Sequence, residues 1–162
     1  MDLEVISKSY LYIYNTIRYI SIGNSYSIGL KNISTKKGTK KMIYQKDYIL
    51  REIESLIHVI TDVFLGEETT QYLPTGKTED AEVDNLYLQI QKLLETKKIN
   101  EAENLLFDKI SISHRGYLKI AVNFYQQINQ LNDEELAKQN FSREEIEQGI
   151  KEVMNLFGIV II

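Results

Sequence analysis

Apolar residues recur at helical spacing along Met42–Leu65, and no other feature constrains the fold of this 162-residue chain as strongly. Asp47 suits an N-cap or a first helical turn, and Gly66 stands where a left-handed residue commonly follows a helix. The stretch therefore predicts one long amphipathic helix, with further helices packed on its apolar side. At 100° per residue, one broad sector holds the apolar residues Ile49, Ile53, Leu56, Ile57, Ile60, Val63 and Phe64.

The opposite side of this predicted helix is charged and carries Asp47, Arg51, Glu54, His58 and Asp62. Glu54, His58 and Asp62 are spaced i, i+4, i+8, and they form the sharpest metal candidate. Carboxylates and an imidazole on one face bind a divalent ion when another helix adds ligands. The sequence favours the alternative, a solvated face with ion pairs at helical spacing. We therefore predict no metal site and retain these three residues as the candidates to test.

Charge and cysteine content exclude several classes of function. The chain has 19 basic and 23 acidic side chains and no cysteine, which excludes disulfides, thiolate zinc sites and a cysteine nucleophile and favours a cytoplasmic location. Residues 1–41 hold seven of the basic and two of the acidic groups, which leaves 12 and 21 for the rest. An acidic body disfavours nucleic acid as its partner. No apolar run is long enough to predict a membrane span.

Residues 1–41 form a basic extension rich in Tyr, Ile and Ser, whose apolar residues follow neither a helical nor a strand period for long. Lys37-Gly38 can be encoded by a purine-rich ribosome-binding sequence shortly before Met42. Our hypothesis is that the extension is an upstream mis-start and that translation begins at Met42. An intact mass of the natural protein beginning at Met1 would contradict it.

Residues 42–162 predict a single helical domain with a polar connector at 66–80, which contains Pro74 and Gly76. Three capping-box patterns mark helix starts, at Asn100/Glu103, Asn132/Glu135 and Ser142/Glu145. Ser113 is a further predicted cap, Gly158 should end the last helix, and the apolar tail Ile159–Ile162 should pack on the body or a partner. Beyond the connector we expect helices near 81–97, 100–110, 114–131, 132–138 and 142–157.

The stretch Leu93–Leu106, LLETKKINEAENLL, resembles half of a tetratricopeptide unit: a helix, a tight turn and an alanine facing the preceding helix. Trp and Gly of the first tetratricopeptide helix are absent, and no 34-residue period returns. The predicted fold is therefore all-α, a compact bundle of antiparallel helical hairpins of tetratricopeptide-like character with five to six helices.

Three stretches together resemble a family of small bacterial helical proteins classed as a domain of unknown function. They are QKDYILREIESLI at 45–57, EAENLLF at 101–107 and FSREEIEQGIKEV at 141–153. The likeness covers nearly all of 42–162. It implies an all-helical fold and brings no mechanism.

Cofactor and catalytic motifs are weak. Gly76-Lys77-Thr78 resembles the end of a phosphate-binding loop, but Gln71 stands where the motif needs its first glycine. His114 sits at a predicted helix start, where a polar residue is ordinary. We predict no cofactor and no catalytic residue.

Our leading hypothesis is a non-catalytic helical module for protein–protein interaction, because paired helical hairpins commonly present a groove to a peptide or helix. Its candidate surface residues are Asp47, Arg51, Glu54, Tyr87 and Tyr125. A second hypothesis is a structural homo-oligomer, formed through the outer face of the first helix or the apolar tail. A third, which the sequence disfavours, is a metal-dependent or carboxylate enzyme using Glu54, His58 and Asp62.

Overall fold

The computed structural model describes the backbone of residues 37–160 and the side chains of residues 47–160. Every regular element in this range is helical, which confirms the all-α prediction. Lys46–Val160 form one compact unit, and the backbone of residues 37–45 is helical. The start-site hypothesis rests largely on residues outside this range and stays a prediction. The α-helices are α1 Lys37–Val59, α2 Ala81–Glu95, α3 Ile99–Lys109, α4 Arg115–Asn129, α5 Asp133–Ala137 and α6 Arg143–Leu156.

Helix α1 buries the apolar side that its sequence period predicts, but it begins earlier than expected. It starts at Lys37, so Asp47 lies inside the helix and the prediction of an N-cap there is wrong. A carboxylate this far from the first turn has no unpaired backbone N–H groups to accept from. The buried residues of this side are Ile49, Ile53, Leu56, Ile57 and Ile60.

The last turns of this helix widen into a π-helix, Ile60–Leu65. The hydroxyl of Thr61 donates to the carbonyl of Ile57 at 2.8 Å, while its own carbonyl accepts from the N–H groups of Gly66 and Glu67. Side-chain bonds of this kind compete with the regular helical pattern and bend it. Gly66 has φ +67°, as predicted for a glycine that ends a helix.

Helix α4 lies at the centre of the described body, packed on α2, α6 and the π-helix. Its composition explains the position, because most of its surface is apolar and few of its side chains reach solvent. The rings of Phe124 and Tyr125 meet edge to face with centroids 4.9 Å apart. The buried residues of α4 are Tyr117, Leu118, Ile120, Ala121, Val122, Asn123, Phe124, Tyr125 and Ile128.

Helices α2 and α3 pack on one another across a short turn in which Lys97 takes a left-handed conformation, φ +59°. The predicted capping box at Asn100 does not form. Helix α3 begins at Ile99, so Asn100 lies inside it and donates instead to the carbonyl of Gln139 at 3.0 Å. The partner expected for that box, Glu103, accepts from Tyr125.

The capping box at α5 is present as predicted. The side chain of Asn132 accepts from the N–H of Glu135, and the Glu135 carboxylate accepts from the N–H of Asn132, both at 2.9 Å. Ser142 caps α6 by accepting from the N–H of Glu145 at 3.2 Å. At α4 the cap is His114 rather than the predicted Ser113.

The C-terminal segment folds back as far as the structure describes it. Gly158 ends α6 with φ +67°, and the N–H of Ile159 donates to the carbonyl of Met154 at 2.8 Å. Ile159 is buried, whereas Val160 is 69% exposed. Ile161 and Ile162 lie outside the described residues, so the fate of the full tail stays a prediction.

Candidate functional site

Asp84, a carboxylate in the first turn of α2, anchors the segment between the π-helix and α2. Asp84 accepts from the hydroxyl of Tyr72 at 2.6 Å and from the N–H groups of Thr75 and Gly76 at 3.0 Å and 2.9 Å. The Tyr72 hydroxyl and these amides hold the pKa of Asp84 below its ordinary value, although burial opposes them. The connector is therefore an ordered loop in which one carboxylate accepts from three donors.

Tyr72 is the aromatic anchor of this loop. Its ring is buried and packs at a tilt on Tyr87 of α2, with centroids 5.0 Å apart. Burial raises the pKa of its hydroxyl, and the adjacent Asp84 carboxylate raises it further. Tyr87, predicted as a surface contact, is half-buried beneath the loop.

A second carboxylate, Asp80, joins the loop to the start of α4. Its Oδ1 lies 2.9 Å from Nε2 of His114, and its Oδ2 accepts from the hydroxyl of Thr75 at 2.7 Å. Nδ1 of His114 accepts from the N–H of Gly116 at 3.0 Å. Because an imidazole nitrogen that accepts carries no proton, the proton of neutral His114 sits on Nε2 and points to Asp80.

This histidine–aspartate pair lacks the arrangement of a catalytic base. Both imidazole nitrogens are engaged, one with the helix backbone and one with Asp80. The hydroxyl of Thr75 donates to Asp80 and not to the imidazole, so it is not placed for activation by His114. The arrangement caps α4 and fixes the loop.

A cleft with a volume of about 250 Å³ opens beside these residues. Its lining includes the apolar side chains of Leu65 and Leu73 and the polar side chains of His114 and Arg115. Arg115 donates to the carbonyl of Phe64, which ties the π-helix to α4. Lys119 and Glu67, which also line the cleft, form an ion pair.

The residues predicted from the charged face of α1 lie on the surface. Asp47, Arg51, Glu54, His58 and Asp62 are all exposed. Nδ1 of His58 is 3.0 Å from the carboxylate of Asp62. Across the described part of the chain, no cluster of three or more His, Cys, Asp or Glu side chains comes together as a metal site would require.

Tyr125, predicted for an interaction groove, lies in the core with 1% of its surface exposed. Its hydroxyl donates to Oε1 of Glu103 at 2.7 Å. The space for that hydroxyl exists because residue 149 is glycine: a Cβ there would overlap the hydroxyl and lie 2.6 Å from the ring carbon Cζ. A side chain this deeply enclosed has no surface to offer a partner, which corrects the expectation.

Glu103 itself is an unusual carboxyl group. Burial raises its pKa, the nearby Glu145 and Glu152 carboxylates add to the rise, and the hydrogen bond from Tyr125 opposes it. Burial also raises the pKa of Tyr125. Glu103 is half-buried and is not among the residues that line the cleft.

Sequence reasoning did not find the residues that build the cleft. Asp80 and Asp84 are one helical turn apart behind a loop with Pro74 and Gly76, a spacing that places two acceptors on the same side. This was the available signal for the loop anchor. Nothing local links either residue to His114, because that contact spans more than thirty residues of chain.

A known protein family covers most of the chain. The profile described as Family of unknown function (DUF6483) matches residues 43–158, well over half of the sequence. No curated protein and no solved structure matches the chain. Among the helices of residues 37–160, none combines the length and apolar character that crossing a membrane requires.

Proposed function

The chain belongs to this family of unknown function, and from its own geometry we propose a non-catalytic module that binds a segment of a partner protein in the cleft beside Arg115. One observation carries the proposal: Leu73 is 67% exposed on a loop that Asp84 holds in place. Leu65 lines the same cleft, so Leu73 is part of a small apolar surface rather than an isolated exposed side chain, and contiguous apolar surface is typical of a protein-binding site.

The hydrogen bonding of His114 supports a binding role over a catalytic one. A general base needs a nitrogen free to take a proton from substrate, and both nitrogens of His114 are occupied within the protein. The cleft is also smaller than the roughly 300–1,000 Å³ of common small-molecule sites. Its size suits one or two side chains of a peptide.

Two finer features belong to the same proposal. The hairpin of α2 and α3 is taken as tetratricopeptide-like, on the strength of the motif at 93–106 and the close packing of the two helices. The location is taken as cytoplasmic, in keeping with a chain of 162 residues that has no cysteine. Neither feature is needed for the cleft to bind.

The test compares two leucine variants of the full chain, tagged and purified gently from the natural host. Leu73→Asp places a charge on the apolar part of the cleft lining, whereas Leu88→Asp changes a leucine of similar exposure, 58%, outside the cleft lining. We expect a recurrent stoichiometric protein to accompany the wild type and Leu88→Asp and to be lost from Leu73→Asp. Circular dichroism must show that both variants melt like the wild type.

A partner that survives Leu73→Asp would place binding elsewhere on the molecule. A wild type that carries no protein and binds a metal or small ligand in stoichiometric amount would overturn the proposal as a whole.

Self-association is the second candidate, and the exposure of Leu156 and Val160 near the end of the chain favours it. In a dimer with two-fold symmetry, this apolar surface of one copy would pack on the same surface of the other copy. Light scattering over a hundredfold range of concentration decides: a constant monomer mass excludes this candidate, and a dimer lost in Val160→Asp supports it.

A further inference from the structure

The charged side chains around the cleft differ in whether a group of opposite charge lies beside them. Lys119 pairs with Glu67, and Asp80 accepts from His114 and Thr75, so these charges have partners within the cleft lining. Arg115 bonds the carbonyl of Phe64, a neutral group. Among the side chains of residues 47–160, no carboxylate forms an ion pair with Arg115, and its own side chain is exposed at the cleft.

The chemistry of a guanidinium narrows the choice of partner. It carries five N–H donors in a planar fork, and one carbonyl takes one of them. A carboxylate accepts two parallel bonds from such a fork and supplies the missing charge. Among protein side chains, Asp and Glu therefore suit the guanidinium of Arg115 best.

The two leucines of the cleft lining set a second requirement. Leu65 is half-buried and Leu73 is largely exposed, and both line the same cleft as Arg115. Covering them removes apolar surface from water at about 25 cal/mol per Å². Because the cleft is only about 250 Å³, an occupant that both pairs with Arg115 and covers these leucines has an acidic group and an apolar side chain within one or two residues of each other.

The acidity of the rest of the body sharpens this requirement. After residue 41 the chain holds 12 basic and 21 acidic side chains, so an acidic partner is repelled by most of the surface. Its carboxylate gains at Arg115 when it comes close, because attraction falls with distance and is screened within about 10 Å. An acidic partner therefore binds only where its carboxylate directly contacts Arg115.

We propose that the cleft takes an extended segment of a partner protein in which an Asp or Glu lies beside an apolar residue. The carboxylate pairs with Arg115, and the apolar side chain packs between Leu65 and Leu73. This deepens the proposed function and rests on it, since it names the chemistry of the segment that the cleft binds.

A random peptide library displayed on phage tests this chemistry even while the partner is unidentified. Selection on the full-length wild-type protein should enrich sequences with an acidic residue next to, or one removed from, Leu, Ile, Val or Phe. Synthetic versions of the selected peptides should bind Arg115→Gln at least about tenfold more weakly, the scale of a charged hydrogen bond. Lys92→Gln removes an exposed cation outside the cleft and should bind like the wild type.

A charge reversal gives the sharper result. Selection on Arg115→Glu should replace the acidic residue of the enriched sequences by Lys or Arg and keep the apolar one. Arg115→Lys should recover part of the affinity, because an ammonium keeps the charge and loses the planar fork.

The outcomes separate the two proposals. Peptides that need Leu73 but show no acidic preference, or that bind Arg115→Gln unchanged, overturn this inference and leave the docking function standing. A library that yields no peptide sensitive to Leu73→Asp overturns the docking function itself.

Discussion

Two tyrosine–carboxylate pairs with nearly the same geometry occur in different parts of this molecule. The hydroxyl of Tyr72 donates to Asp84 at 2.6 Å beside the cleft, and that of Tyr125 donates to Glu103 at 2.7 Å in the core. Yet the pKa of Asp84 lies below its ordinary value and the pKa of Glu103 lies above its own. The same hydrogen bond therefore accompanies opposite shifts.

The surroundings of each carboxyl explain the difference. Asp84 accepts from two backbone amides as well as from a hydroxyl, and each donor stabilises its charged form. Glu103 is half-buried, and Glu145 and Glu152 lie near enough to disfavour its charge. The direction of each pKa shift depends on the balance between hydrogen-bond donors on one side and burial and like charges on the other. A tyrosine–carboxylate contact by itself therefore predicts neither a raised nor a lowered pKa.

The first pair stabilises the conformation of a loop, and the second is part of the packing between helices. At the cleft, polar bonds to Asp84 fix the conformation of a loop that has little apolar surface to bury. In the core, the hydroxyl of Tyr125 fits because α6 has a glycine at 149. Polar substitutions should therefore disturb the first region, and volume changes should disturb the second.

The largest effect is expected from Gly149→Ala. A Cβ at this position would overlap the Tyr125 hydroxyl and lie 2.8 Å from Oε1 of Glu103. Overpacking of a core costs about 1–3 kcal/mol, more than the roughly 0.5–1 kcal/mol that alanine gains over glycine in a helix. Urea unfolding should show a net loss of about 1–2 kcal/mol.

Gln148→Ala, at the exposed neighbouring position, controls for the effect of alanine on helix α6 and should change stability little. In a Tyr125→Phe background, Gly149→Ala should cost less stability, because the overlapping hydroxyl is gone. Part of the cost should remain, because the new Cβ would still lie 2.6 Å from the ring carbon Cζ. A Gly149→Ala protein more stable than the wild type would contradict the close packing.

An intermediate effect is expected from Asp84→Asn. The amide offers one acceptor oxygen where the carboxylate offers two, so it cannot accept both from the Tyr72 hydroxyl on one side and from the N–H groups of Thr75 and Gly76 on the other. Hydrogen exchange should show these two amides losing protection while the helices keep theirs. Glu82→Gln removes the same charge from the same first turn and should leave both amides protected.

The pH dependence of this region follows from the lowered pKa of Asp84. Its stabilising contribution is present above the pKa of an unfolded aspartate and is lost as the pH falls through the lower folded value. Loop protection in the wild type should therefore fail on the acid side. Asp84→Asn should show no such transition.

The smallest effect is expected from Glu103→Gln. Because the folded pKa is raised, the contribution of Glu103 to stability is present below its unfolded value and is lost as the pH rises through the folded one. Glutamine keeps an acceptor for Tyr125 and carries no charge, so the variant should match the wild type in acid and exceed it at neutral pH. The gain should be about 0.5 kcal/mol, since solvent screens a partly exposed group.

Thermal melts at several pH values measure this difference. Glu101→Gln, an exposed position on the same helix, serves as the control and should shift by less. A variant that is less stable than the wild type at neutral pH would show that Glu103 is favourably ionised in the core.

Local sequence signals predicted the helices and several of their ends. The 3.6-residue period of α1, the capping box at Asn132 and the glycines at 66 and 158 each depend on residues within a turn or two. Where a local signal had two outcomes, tertiary contacts chose between them. Asn100 matched a capping box, but α3 begins one residue before it and its side chain bonds Gln139 instead.

Residues close together along the chain were enough to establish an all-α fold, because amphipathic period and caps act between neighbours within one helix. The roles of the polar residues came from the packing of helices on one another. His114 meets Asp80 across more than thirty residues, Tyr125 meets Glu103 and Gly149 from three helices, and Arg115 meets Phe64 across fifty. Such contacts depend on how distant helices are placed, which no spacing within a single helix encodes.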